Sequence, residues 1–305
     1  MKDIREEEIN SLLDQAYGSD DNEEIKALST KVLEIDPDHP EGLLLLADAT
    51  EDPEQQVSLL EKALPSAKKK FEDSLANEDS EFPDSDPWLL YIGVLQRLGF
   101  ALFPDGDLQR VIRIAQDLVD NDPEDRTLGK TLYYRCLIEM GRYGEVLEKC
   151  MDDDNITPAR QHSRALSLFA LKGATDESYA SLWDVFKVGA DIPFFLLGYW
   201  PEPDEEDERE EEDFHFSLLF EEAWSQSEEM LNWLAKATVL FGYFTHRLNE
   251  RTLENIDVLV SSLELDDAFD ELSRRIEMEV SRDQYLGLRE KDMEIIDILA
   301  GSRFF

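Results

Sequence analysis

Cysteine, basic residues and long apolar runs are all scarce in this chain. Cys136 and Cys150 are the only 2 cysteines in 305 residues, too few for a disulfide framework. Both fall on apolar faces of short amphipathic segments, so they read as buried thiols in a reducing compartment, and the chain is expected in the cytoplasm. The longest apolar stretches, Leu43–Ala47 and Phe194–Trp200, fall far short of the ~20 residues needed to span a bilayer. Met1 to Glu8 is acidic and lacks the apolar region of a secretion signal, so no membrane partner is expected. Only 30 Lys and Arg stand against 71 Asp and Glu, for a formal net charge of −41. A surface of that sign repels nucleic-acid phosphates, so no nucleic-acid partner is expected either.

The signatures of common chemistries are missing too. Neither glycine-rich phosphate loop, GxGxxG or GxxxxGK[ST], occurs, nor does the GxSxG nucleophile turn. His39, His162, His215 and His246 are scattered, without the HxxxH or HExxH spacing of a metal site. Glu211-Glu212-Asp213-Phe214-His215 offers oxygen and imidazole ligands, but it lacks glycine and does not meet the calcium-loop pattern. Acid pairs are so abundant that none stands out as a general acid–base couple. No catalytic residue, metal or cofactor is therefore expected, and the chain does not read as an enzyme.

What is present is helical periodicity. The organising stretch is Thr131 to Met151. Leu132, Tyr133, Leu137 and Met140 stand at helical spacings before Gly141, and Tyr143, Val146, Leu147 and Cys150 after it. Neither short helix can bury its stripe alone, so the two must pack on each other and on neighbours. Similar pairs recur. Helices over residues 6–35 break near Tyr17-Gly18-Ser19-Asp20 and end before Pro37. Gly42–Ala49 pairs with a helix opened by Thr50-Glu51-Asp52-Pro53 that carries Leu59, Leu60, Ala63 and Leu64. Lys68-Lys69-Lys70 is expected at that helix's C-terminus, where the dipole favours cations, and an acidic loop is expected from Asn77 to Asp86. Trp88–Phe103 and Leu108–Val119 flank Pro104-Asp105-Gly106-Asp107, with Val111, Ala115 and Leu118 at core positions. Pro158–Leu171 and Glu177–Val188 form a fifth pair around Lys172-Gly173-Ala174-Thr175.

Glu202 to Asp213 is a nearly unbroken acid run, expected to be a solvated loop before a helix beginning at Phe214. Trp224, Trp233 and Phe241 form an aromatic stripe. Bulky residues between helix layers read as core in preference to a ligand groove. Further amphipathic helices are expected over 250–303, and no strand alternation is visible.

Gly141-Arg142-Tyr143 with its following apolar positions resembles the second half of a tetratricopeptide repeat, as does the close at Val32–Pro37. Asp191-Ile192-Pro193-Phe194-Phe195-Leu196-Leu197-Gly198, Glu222-Ala223-Trp224 and Met230-Leu231-Asn232-Trp233-Leu234 resemble a group of bacterial tetratricopeptide proteins akin to the suppressor-of-tumorigenicity-seven family. Gly189-Ala190 stands where that group usually has Asn-Pro. The likeness covers about residues 85–240. It implies an all-α, right-handed, tetratricopeptide-like solenoid of antiparallel helix hairpins with a C-terminal helical extension, and it carries no catalytic residues. The expected organisation is repeats over 1–190, an acidic loop with family-type helices over 191–249, and a helical extension over 250–305.

If that repeat register holds, first helices line one concave groove. It would collect Gln96, Arg97 and Phe100, then Thr131, Arg135 and Glu139, then Arg160, Ser163 and Ser167. Arginines there could fork a partner's carboxylate, or they could pair with local acids. The expected function is a scaffold or adaptor binding a protein or peptide. The alternative is an acidic chaperone or nucleic-acid mimic that holds a basic protein.

Overall fold

The structure, a computed structural model, describes all residues except 1, 77–84, 123, 204–207, 281–286 and 303–305. The acidic loop expected from residue 77 falls largely outside the described residues. Those described form seventeen helices and no strand. The chain divides into two compact units, Met1–Cys136 and Leu137–Phe305.

The first unit contains α1 (Lys2–Tyr17), α2 (Asn22–Ile35), α3 (Pro40–Asp48), α4 (Pro53–Leu75), α5 (Asp86–Leu102), α6 (Leu108–Asp120) and the start of α7 (Gly129–Glu139). The starts are capped as the sequence suggests. Asp21 accepts from the Glu23 N–H at 3.0 Å, and Asp52 from Glu54 at 3.0 Å and Gln55 at 3.2 Å. Pro40 and Pro53 occupy first-turn positions, where no helical donor is lost. Each helix from α1 to α5 packs on the next in sequence order, and α3 also touches both α1 and α5. Ile9, Leu13 and Ala16 of α1 meet Leu28 and Val32 of α2 and Leu45 of α3 in one buried cluster.

Two helix limits differ from expectation. α4 does not stop near Lys70: it runs through Pro65 to Leu75. Ala63, Ala67 and Phe71 continue the buried stripe, and Phe71 stacks on Tyr91 of α5 at 5.2 Å. That burial outweighs the hydrogen bond Pro65 removes. The three lysines therefore lie inside the helix, not at its end. Lys68 pairs with Asp117 and Lys70 with Glu41, each at 3.9 Å.

The second unit continues with α8 (Tyr143–Asp152), α9 (Pro158–Lys172), α10 (Asp176–Val188), α11 (Ile192–Leu196), α12 (Glu208–Trp224), α13 (Glu228–Phe244), α14 (Glu250–Glu254), α15 (Ile256–Ser262), α16 (Asp266–Glu279) and α17 (Leu288–Ala300). The turn before α8 is a Schellman closure. Arg142 N–H reaches Leu137 O at 2.8 Å, Gly141 N–H reaches Ile138 O at 2.9 Å, and Gly141 takes φ +67°. α8, α9 and α10 pack in order, α12 and α13 lie against α9, and α17 lies against α10 and α13. Trp183, Phe186, Phe194 and Phe241 are fully buried, with Phe186 and Phe241 centred 5.0 Å apart.

The second difference is at the acid run. α12 begins at Glu208, six residues before the expected start, so the later half of the run is helix. Glu208, Glu210 and Glu211 occupy its first turn, where the dipole favours them. No described helix is long and apolar enough to cross a membrane.

Candidate functional site

On α5, Gln96, Arg97 and Phe100 share a face. Gln96 Oε1 accepts the Leu128 N–H at 3.0 Å, and Arg97 Nε donates to Asp48 Oδ1 of α3 at 2.6 Å. Phe100 is half-buried. Tyr17, at the end of α1, joins the same neighbourhood. Burial first, then the charges of Glu41 and Asp48, raise its phenol, against the pull of Arg97. Arg97 is therefore held by an acid of α3.

Four of the other expected groove residues, Thr131, Arg135, Ser163 and Ser167, are buried. Thr131 is buried, and Arg135 is 3% exposed with its guanidinium 5.3 Å from the Phe103 ring centroid. Ser163 and Ser167 on α9 are fully buried, and their hydroxyls have no hydrogen-bond partner among the described residues. Arg160 Nε donates to Cys150 O at 2.8 Å, tying α9 to α8. Glu139, at the end of α7, is half-buried. Arg135 belongs to the first unit and Arg160 to the second, and each is engaged within its own. Helical register alone assigns these residues to an open face. Burial depends on what packs over the face, which register does not contain.

On α9 that packing is visible at His162. Its Nδ1 accepts from Trp224 Nε1 at 3.0 Å, and Phe216 and Phe220 of α12 lie 5.3 and 5.6 Å from its ring. Burial lowers its pKa to about 3, so the ring is neutral and the accepting Nδ1 places the proton on Nε2. Trp224 and Phe241 are core, as expected. So are the thiols of Cys136 and Cys150.

Trp233 is core on one side and lines a cleft on the other. The cleft, of about 410 Å³, is floored by Phe169 of α9 and Trp233 of α13, whose rings are 4.6 Å apart. Glu229, Asn232 and Lys236 stand at helical spacing with Trp233 along α13. Opposite them are Ser262 and Glu264 at the end of α15. α15 closes with Leu265 N–H on Val260 O at 3.0 Å, which puts Glu264 at φ +57°, a position that favours glycine. A second cleft of about 510 Å³, along Tyr199, Asn249 and Val258, shares Ser262 with the first. These residues come from three distant segments, so no local motif announces the cleft. Its only signal in the sequence is the aromatic stripe.

No protein family, no curated protein and no solved structure matches the chain. What its surfaces bind must be argued from their own chemistry. No group of three His, Cys, Asp or Glu among the described residues could hold a metal. In the stretch from Glu211 to His215, His215 Nδ1 lies 2.8 Å from the carbonyl of Glu211 within its own helix. Asp213 is half-buried there. Burial first, then the charge of Asp191, push its carboxyl up to about 6. Asp191 in turn receives Arg247 Nε at 2.7 Å, and Arg247 also grips Asp292 at 2.8 and 3.1 Å. This cluster joins α11, α17 and the end of α13, and it reads as a structural tie.

Proposed function

We propose that this chain is a non-enzymatic adaptor, a tetratricopeptide-like helical repeat of the cytoplasm, which binds a segment of a basic partner protein. The observation that carries the reading is where the cations go. Arg97, Arg110, Arg164 and Arg247 all pair with acids of their own unit. Lys62, Lys130, Lys172 and Lys187 do the same. With 71 acids against 30 bases, the charge left for a partner to meet is negative. An acidic segment would face repulsion and would find its expected arginines engaged. A basic segment gains long-range attraction and loses little on arrival. Sequential packing of short helices supports the repeat reading, because such stacks expose extended surfaces rather than one enclosed pocket. A nucleic-acid mimic is the limiting case of the same charge complementarity.

Two matched synthetic peptides test it, one rich in Lys and Arg and one with those positions changed to Asp and Glu. Fluorescence anisotropy is expected to show saturable binding of the basic peptide alone. Equal or tighter binding of the acidic peptide would refute the reading.

A further inference from the structure

We infer that the outer stripe of α5 around Gly93 is a docking surface for a basic segment of the partner, with an apolar side chain of that segment seated over the glycine. This rests on the proposed adaptor function and names where the segment lies. Most of α5 is core, with Trp88, Tyr91, Val94, Leu95 and Leu98 all buried. Asp86, Leu89, Gly93, Arg97 and Phe100 recur at helical spacing on the side that the core leaves wholly or partly open. Leu89 is 54% exposed. Residues four apart are neighbours on a helix surface, so an uncovered leucine lies next to a position with no side chain.

The second, independent observation is that the fold does not need this glycine. The other glycine of α5 has a packing reason. A Cβ at Gly99 would come 2.5 Å from Leu132 Cδ2 and 3.3 Å from Ile114 Cγ2. At Gly93 the nearest atoms would be Arg97 Nη1 at 3.4 Å and Leu44 Cδ2 at 3.9 Å, so an alanine fits. Glycine inside a helix is less stable than alanine. What it provides here is close approach to the α5 backbone from outside. Charge names the occupant. Asp86 is exposed and has no ion-pair partner among the described residues. Arg97 is already taken by Asp48 at 2.6 Å. Tyr17, 60% exposed, stands close enough to feel both. Burial first, then Glu41, raise its phenol, and Glu41 outweighs Arg97 there, so the field beside the stripe is negative. An apolar side chain carried between basic residues answers the bare apolar position and the field together. A second copy of this chain is a poor occupant, because two bodies of charge −41 repel.

The probe is a Gly/Ser peptide in which lysines flank a phenylalanine, beside the same peptide with serine in place of the phenylalanine. Isothermal titration is run on the full chain and on Gly93→Gln and Leu89→Gln, with melting temperatures for these and for Gly93→Ala. The phenylalanine peptide is expected to bind the parent protein at least about tenfold more tightly than the serine peptide. Gly93→Gln and Leu89→Gln should each lose most of that preference without melting earlier than the parent, which separates lost recognition from lost folding. Gly93→Ala should melt later than the parent. If it melts earlier, packing requires the glycine and the inference is wrong. If the parent binds both peptides equally, or if both glutamine variants keep the preference, the docking surface is wrong and the adaptor reading stands. If the parent binds neither peptide, both fall.

Discussion

His162 and Asp213 are shifted in opposite senses from their ordinary pKa values, and their consequences for stability follow from the signs. His162 has its folded pKa lowered to about 3. Below about 6.5 the unfolded chain takes up a proton that the folded chain refuses, so stability falls as pH drops. The loss is roughly 2 kcal/mol by pH 5. Urea titrations of the wild type and His162→Gln at pH 7 and pH 5 should show the wild type losing more stability between the two. Asp213 has its folded pKa raised to about 6. Here the folded chain holds the proton more tightly, so a destabilisation develops as pH rises from about 4 through 6 and is absent at lower pH. Asp213→Asn should therefore be more stable than wild type at pH 8, by on the order of 1 kcal/mol once solvent screening of a half-exposed group is allowed for. The two should converge near pH 4. Arg160 gives a third test. Its bond to Cys150 O holds two helices together, so Arg160→Ala should melt earlier, by about 1–2 kcal/mol. Its affinity for a basic peptide should be unchanged once it is folded.

At the scale of the element, hairpins were legible wherever a turn residue with a distinct backbone need interrupts an apolar stripe. Pro37, the Pro104–Asp107 breaker, Gly141 and Gly173 all mark helix ends, the two glycines with positive φ. Limits set by distant contacts were not legible. Pro65 argues locally for an end, yet Phe71 on Tyr91 carries α4 past it. The acid run argues for loop, yet it holds the first turns of α12. The candidate site was readable in part for the same reason. Gln96, Arg97 and Phe100 share a face as spacing requires. Arg135 on α7 is buried, and so are Ser163 and Ser167 on α9, which spacing does not reveal, and the cleft at Trp233 needs three separate segments. Gly242 of α13 shows how tight the distant contacts are. A Cβ there would lie 2.6 Å from the Phe194 ring and 2.7 Å from Leu248. Gly242→Ala should cost about 1–3 kcal/mol by overpacking, despite alanine's better helix propensity, as read from the shift in urea midpoint.

For the whole molecule the dominant quantity is charge. A formal −41 opposes compaction. Ion pairs such as Arg247 with Asp191 tie separate segments, and aromatic residues fill the second unit's core. Screening should relieve the repulsion, so moderate salt should raise the melting temperature. The same screening should weaken a basic partner's hold, and these opposite responses distinguish stability from recognition. The most direct measurement is the affinity of the basic peptide across ionic strengths from about 0.05 to 0.5 M. The account predicts that affinity falls steadily with salt while the protein stays folded and gains stability. An affinity that holds constant or rises over that range would contradict it.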